Sequence, residues 1–409
     1  MARRQAIVAL DIGTTKVVAL VGAVAPLGDV NIVGVGVGPS TGMRKGIVVD
    51  IDGTVKSIQS AVDSARRMSG LDIRSVFLGV GGSHIASLRN KGVVAVNRDD
   101  REITRADVER VLEAARVISI PPDREIIHVL PRGYTVDGHD GIRDPEGMVG
   151  IRLEVEAGII TASVTSLQNL LRSVYKSGLD VDDVVLNPLA SGEAVLQAAE
   201  KELGVVVADI GGGTTSVALF DEGSLWFSSI VPVAGSHITG DLAVGLRTPI
   251  AEAERAKTEY GVALEEMAAE GETFQIAGIS GGRMKEAPLG EIAAIIEPRA
   301  HEIMTMIGQE IKRSSFGKVI PGGLVLTGGT SLLRGLGDLA EKYLEMPVRV
   351  GLPRGVGGLT DVARHPGYST AVGILIHAAR NLDSAGERPV SGRVGGLWQR
   401  IGGFFRGMF

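Results

Sequence analysis

Two stretches of the chain repeat one pattern. Residues 6–22 run Ala-Ile-Val-Ala-Leu-Asp-Ile-Gly-Thr-Thr-Lys-Val-Val-Ala-Leu-Val-Gly. Residues 204–223 run Gly-Val-Val-Val-Ala-Asp-Ile-Gly-Gly-Gly-Thr-Thr-Ser-Val-Ala-Leu-Phe-Asp-Glu-Gly. Each is an apolar, β-branched run, a polar turn and a second apolar run, the pattern of a β-hairpin. An internal repeat of this kind predicts two similar halves facing each other across a cleft, with Asp11 and Asp209 at matching turns.

Helix and strand patterns alternate between the repeats. Residues 54–69 place Val55, Ile58, Val62 and Ala65 at helical spacing behind a Thr54 cap, and a strand follows at 73–81. Thr104-x-x-Asp107 opens a helix over 104–119, with Val108, Val111, Leu112 and Ala115 on one face. Strands near 92–97, 125–130 and 151–164 surround it, so 84–165 reads as a small α+β unit of its own. Helices at 166–178 and 188–203 lead into the second hairpin. Beyond it the pattern gives a helix at 250–270, a loop region at 271–290, a helix at 291–315, a strand at 323–327 and helices at 331–344 and 368–381. Residues 383–394 lack apolar periodicity and read as a flexible linker.

The composition excludes several classes. With no cysteine there is no disulfide, thiol nucleophile or Cys-ligated metal. A net charge of -6 gives no reason to expect a nucleic-acid partner. The seven histidines show no ligand spacing. The apolar run before Asp11 is too brief for a signal peptide, and no stretch approaches the length of a membrane span, so the expected location is cytoplasmic.

The turns suit phosphate. Gly13 lets the backbone approach closely, Thr14 and Thr15 offer donors, and Lys16 supplies a point charge. Asp11 can orient waters on Mg²⁺, which keeps much of its hydration. Asp209, Gly211, Gly212, Gly213, Thr214 and Thr215 offer the same equipment without the lysine. Either turn alone could be a plain hairpin turn. A third element, Leu326-Thr327-Gly328-Gly329-Thr330-Ser331, reads as a buried strand, a glycine pair and a helix N-terminus that can cover a nucleotide's sugar and α-phosphate.

Together the two hairpins, the Leu-Thr-Gly-Gly-Thr turn and the helix beginning Gly367-Tyr-Ser-Thr-Ala-Val-Gly resemble the actin, heat-shock chaperone and sugar-kinase superfamily. Within it the chain resembles the bacterial cell-division FtsA family, supported by residues 234–241, by Ala253–Lys257 and by Ile296-Glu297-Pro298-Arg299. The resemblance implies an α/β, actin-like two-domain fold with duplicated ribonuclease-H-like cores, an inserted small α+β subdomain (1C) and a C-terminal amphipathic helix. The implied divisions are 1–83 with 166–200 and 347–381 (1A), 84–165 (1C), 201–233 with 317–346 (2A), 234–316 (2B), a linker at 382–394 and the helix at 395–409. It implies ATP and Mg²⁺ in the cleft, with Asp11 and Asp209 reaching the metal through water and Glu254 and Lys257 on the ribose. It also implies self-assembly into filaments, a docking site for the tail of the tubulin-like protein FtsZ near Arg283 and Arg299, and later division proteins on 1C. Asn187 stands where relatives often carry a Glu. Its amide can hold a water but cannot take its proton, so at most slow ATPase activity is expected. Glu193, about two turns on, reads as a structural or nucleotide-side polar residue. A pilus-assembly relative and a sugar or acid kinase of the superfamily are the alternatives.

The last fifteen residues differ from the rest. Of fifteen aromatics in the chain, four (Trp398, Phe404, Phe405 and Phe409) lie in the final twelve positions. With Leu397, Ile401 and Met408 they form one helical face, and Arg400 and Arg406 lie off it. Gly402, Gly403 and Gly407 each cost roughly 1 kcal/mol of helix stability, so the isolated peptide is expected to be unfolded in water. Burial returns up to roughly 1.5–3 kcal/mol per large apolar side chain, and each arginine adds about 1 kcal/mol on anionic lipid. The segment therefore reads as a reversible membrane anchor, as the resemblance also implies, placing the chain peripherally at the cytoplasmic face of the inner membrane at the division site. The plain alternative is a terminal helix docked on the chain's own core.

Overall fold

The computed structural model describes residues 5–25, 29–97, 100–279 and 284–383. The first repeat is a hairpin of β1 (Gln5–Ile12) and β2 (Lys16–Val24), continued by antiparallel β3 (Val30–Pro39). A small hairpin of β4 (Met43–Arg44) and β5 (Ile47–Val48) precedes α1 (Ile51–Ser69). This helix starts before the expected Thr54 cap. Asp50 is the cap, its carboxylate accepting from the Asp52 N–H at 3.1 Å, while the Thr54 hydroxyl donates back to the Asp50 carbonyl at 2.7 Å. Strand β6 (Ser75–Val80) then pairs parallel with β1.

A separate layer follows. Strand β7 (Ala86–Ala95), helix α2 (Arg105–Arg116) and strands β8 (Arg124–Val136), β9 (His139–Ile142) and β10 (Arg152–Ser163) form an antiparallel sheet ordered β7-β10-β8-β9 with α2 packed on it. Val108, Val111 and Leu112 from the helix meet Leu153, Val155 and Ile159 from the sheet in a core of their own. The helix start is fixed by Asp107, which accepts from the Thr104 N–H at 2.9 Å and the Thr104 hydroxyl at 2.6 Å.

The chain returns through α3 (Val164–Lys176) to β11 (Asp180–Leu186), parallel to β6, and on to α4 (Asn187–Val195) and α5 (Ala198–Leu203). The expected continuous helix over 188–203 is thus broken. Leu196 and Gln197 are extended, and Glu200 accepts from the Gln197 N–H at 2.7 Å, starting a new helix.

The second repeat begins the second domain: β12 (Val205–Ile210), β13 (Thr215–Asp221), β14 (Ser224–Val231), α6 (Gly235–Gly245), α7 (Ile250–Tyr260), β15 (Thr273–Ala277), β16 (Met284–Pro288), α8 (Leu289–Arg313), β17 (Leu324–Thr327), α9 (Leu336–Leu344) and β18 (Val348–Val350). Two expectations change here. The helix expected to reach residue 270 stops at Tyr260, where extended Gly261 ends it. The expected loop at 271–290 holds the β15–β16 hairpin, which buries Phe274, Ile276 and Ala287 against α8 and its neighbours. Strand β19 (Val356–Gly358) returns to the edge of the first sheet, and α10 (Thr360–Ala363) and α11 (Ser369–Asp383) follow.

The two large sheets share one plan. In the order β3-β2-β1-β6-β11 and in the order β14-β13-β12-β17-β18, the first two pairings are antiparallel and the last two parallel. The sequence repeat is therefore a repeat of the whole sheet. Helix α11 packs on α4 and β1 behind the first sheet. Among the described residues no helix is long and apolar enough to cross a membrane. The linker and tail readings, with Leu397, Trp398, Arg400, Ile401, Phe404, Phe405, Arg406, Met408 and Phe409, lie outside the described residues, as does Arg283.

Candidate functional site in the interdomain cleft

Each hairpin turn is closed by the same bond. The Gly13 N–H donates to the Lys16 carbonyl and the Gly211 N–H to the Thr214 carbonyl, both at 3.0 Å. Counted from the aspartates, Thr14 and Thr15 therefore correspond to Gly212 and Gly213, and Lys16 to Thr214. The turns face each other closely. A Cβ on Gly212 would stand 2.4 Å from Thr15, and one on Gly213 would stand 2.4 Å from Thr14. The threonines of one turn occupy the room left by the glycines of the other.

The third element closes the same space. The Thr330 hydroxyl donates to the Gly211 carbonyl at 2.9 Å, and Gly328, at φ +84°, lies where a Cβ would stand 2.4 Å from Asp209. The expected helix N-terminus after the glycine pair is instead a single 3₁₀ turn, Gly329–Leu332, with α9 starting later at Leu336. The cleft so formed has a volume of about 540 Å³. Asp11, Gly13, Thr14, Thr15, Lys16, Asp209, Gly211, Gly212, Gly213, Thr214, Glu254, Lys257, Gly328, Gly329 and Thr330 all line it.

Thr215 does not. It is the first residue of β13, the counterpart of buried Val17 on β2, and it is 1 % exposed with its hydroxyl donated to the Val233 carbonyl at 2.7 Å. Strand alternation turns the next side chain, Ser216, toward the cleft instead. Asn187, Ser236, Arg334, His365 and Thr370 also line the cleft. Nothing in local sequence singles out His365 or Arg334, which arrive from segments far from either repeat.

Burial sets the charges. Asp11 is pushed up to about 7, chiefly by burial and then by the facing Asp209, against the pull of Lys16. Burial also raises Asp209, opposed by hydroxyls of Ser191 and Thr370 that donate to it at 2.5 and 2.9 Å. Lys16 is held below the usual lysine range because burial outweighs the two carboxylates, and its ammonium lies 4.4 Å from the Tyr368 ring centroid. Lys257 donates to Glu254 at 2.7 Å and to Thr239 at 2.9 Å, which fixes both side chains at the cleft wall. The side-chain oxygen of Asn187 is buried with no hydrogen-bond partner among the described residues. Glu193 points elsewhere, accepting from His377 and Arg380, each at 3.2 Å. Arg299 is committed to Asp241 on α6, at 2.6 and 3.1 Å, and to Glu302.

Comparisons with known proteins agree with this architecture. A family profile described as "Cell division protein FtsA" matches residues 206–373, and one described as "SHS2 domain inserted in FTSA" matches residues 82–161, the four-stranded layer. The chain is 46 % identical to the cell division protein FtsA of Pseudomonas aeruginosa over 94 % of this chain and 92 % of the relative. It is 43 % identical to that of Neisseria meningitidis over 96 % of each. The fold is shared with the PilM-PilN type IV pilus biogenesis complex (TM-score 0.68, 18 % identity, 92 % of this chain and 99 % of that one). It is also shared with MreB5 of Spiroplasma citri bound to ADP (TM-score 0.58, 14 % identity, 94 % and 99 %). The duplicated sheet and the inserted layer are those of an actin-like protein, and the full-length identity fixes the branch: this chain belongs to the FtsA family of cell division proteins.

Proposed function

We propose that the chain binds ATP with Mg²⁺ in this cleft, assembles into filaments in that state, and tethers the FtsZ ring to the cytoplasmic membrane at the division site. The observation that carries the nucleotide reading is the meeting of both turns and Thr330 around one cleft. Lys16 and the hydroxyls of Thr14, Thr15 and Thr214 are the phosphate donors, and Glu254 and Lys257 face the ribose. That a neighbour of the same fold is bound to ADP supports this reading.

The residues fit a hydrated Mg²⁺. Asp11 and Asp209 face each other where burial drives both toward the neutral form, and a divalent cation would let both ionise. Mg²⁺ keeps much of its hydration, so these two carboxylates can reach it through its waters. Bound there, Mg²⁺ supplies neutralisation of phosphate charge. Asn187 lines the cleft with an amide, which cannot accept a proton from an attacking water, so turnover is slow.

The adaptor reading rests on sequence. The face of Leu397, Trp398, Ile401, Phe404, Phe405, Met408 and Phe409, with Arg400 and Arg406, binds anionic lipid weakly in one copy and avidly in a filament. The acidic FtsZ tail docks near Arg283 and Arg299, and the 84–165 insert receives later division proteins. The remaining domain boundaries are those the resemblance implies, except that β18 (Val348–Val350) pairs with β17 and so belongs with the second domain rather than with 347–381 of the first. A pilus-assembly adaptor shares the fold, but it needs no lipid-binding tail of its own.

Liposome co-sedimentation with ATP tests the anchor, comparing the full chain with one ending at Val394. Only the full chain is expected to pellet, and equal pelleting removes the anchor role. Arg283→Glu and Arg299→Glu are each expected to weaken FtsZ-tail binding, and unchanged affinity takes that residue out of the dock.

A further inference from the structure

The inserted layer belongs covalently to the first domain, entering from β6 and leaving into α3. Ile127, Ile160 and Ala162 of the layer are buried in the core built on the first sheet, and a second grip, made by side chains, reaches the second domain. Trp226, on edge strand β14, has two guanidinium groups from the insert over its ring: Arg132 of β8 at 3.3 Å from the centroid and Arg89 of β7 at 4.8 Å. Arg132 is only 5 % exposed and is steadied within the insert by Glu156 at 2.8 Å. Arg89 also donates to the Ser314 carbonyl, the residue that ends α8, and the Trp226 indole N–H reaches the same carbonyl at 3.4 Å. Phe316 stacks edge-on against Trp226 at 5.4 Å.

That carbonyl stands at the end of a continuous line of contacts from the second turn. The Gly235 and Ser236 N–H groups at the start of α6 donate to the Gly211 and Gly212 carbonyls at 3.1 and 2.7 Å. Asp241 on α6 holds Arg299 of α8 through two bonds. From Arg299, helix α8 runs about 15 residues, roughly 22 Å, to Ser314. A movement of the second turn relative to the first therefore reaches the insert, which cannot follow the first domain alone while the clamp holds.

We propose that Trp226, gripped by Arg89 and Arg132, is a clamp through which the closure of the cleft sets the position of the inserted layer, so that a ligand in the cleft is felt on the insert's surface. The two-state element is the rotation of one domain against the other, the motion by which a cleft between domains closes on its ligand. The inference rests on the nucleotide reading above and adds a mechanical consequence to it.

Amide hydrogen exchange on the full chain, with and without Mg-ATP, tests it, alongside an independent measurement of ATP affinity. In the unmodified chain, ATP is expected to raise protection of residues 86–95 and 124–136 about fivefold or more, the low end of ordinary allosteric coupling. Trp226→Leu should abolish that increment and Trp226→Phe, which keeps an aromatic face, should retain most of it, both binding ATP normally and still protecting the second turn. Arg89 is exposed, so Arg89→Ala is the variant to use if Trp226→Leu does not fold, and the increment should shrink there too. An insert indifferent to bound ATP, or a Trp226→Leu or Arg89→Ala chain whose insert responds as the unmodified one does, overturns the clamp while leaving the nucleotide site standing. A chain that does not bind ATP overturns the nucleotide reading itself.

Discussion

The two turns at the cleft share one backbone and differ in what they place on it. The first puts Thr14, Thr15 and Lys16 where the second puts Gly212, Gly213 and Thr214. Identical turns bearing identical side chains could not approach this closely, because threonine would meet threonine. The repeat has diverged into a convex partner and a concave one, with the only cation on the convex side. The aspartates differ too. Asp209 is steadied by two hydroxyls, whereas the state of Asp11 is governed by burial and by Asp209 itself. Duplication supplied the scaffold, and divergence supplied the complementarity.

That asymmetry can be broken at several points. The largest effect is expected at Asp11 without nucleotide. Its folded carboxyl stays protonated up to about 7, above the 3.8 of a free aspartate, so folding takes up a proton between these values and stability falls as pH rises through that window. Asp11→Asn removes this loss and should be more stable than the unmodified chain by about 4 kcal/mol at pH 7.5, with little difference at pH 4, as read by chemical denaturation. Next, Lys16→Ala should weaken ATP binding by about 100-fold in calorimetry, while Thr214→Ala at the equivalent position changes it by no more than about threefold. Gly213→Ala forces a Cβ against Thr14 and should cost about 1–3 kcal/mol, and adding Thr14→Gly should return most of that cost if mutual shape is the cause. Smallest, Thr215→Val should lower stability by about 1 kcal/mol through the lost bond to Val233 and leave ATP affinity unchanged.

Much of this was legible locally. The hairpin halves alternate β-branched residues around glycine-rich turns, and Thr104-x-x-Asp107 sets a helix start by contacts within four residues. Elements that depend on distant partners were harder to read. Residues 271–290 are polar and glycine-bearing, and only packing against α8 makes strands of 273–277 and 284–288. Both Asp50 and Thr54 are capping types, and which of them starts α1 is decided by the backbone path that leaves Asp50 extended.

The sequence by itself determined the duplication, the acidic and glycine-rich turns and the family, because repeats, turn chemistry and overall identity are properties of residue order. Only the tertiary structure decided the pairing of turn positions, and with it that Thr215 faces the core while Ser216 faces the cleft. One residue of register inverts every side chain of a strand, and register is fixed by the closing bond and the burial around it. The grip of Arg89 and Arg132 on Trp226 is likewise absent from any local pattern, since it joins residues whose proximity exists only when the inserted layer lies beside the second sheet.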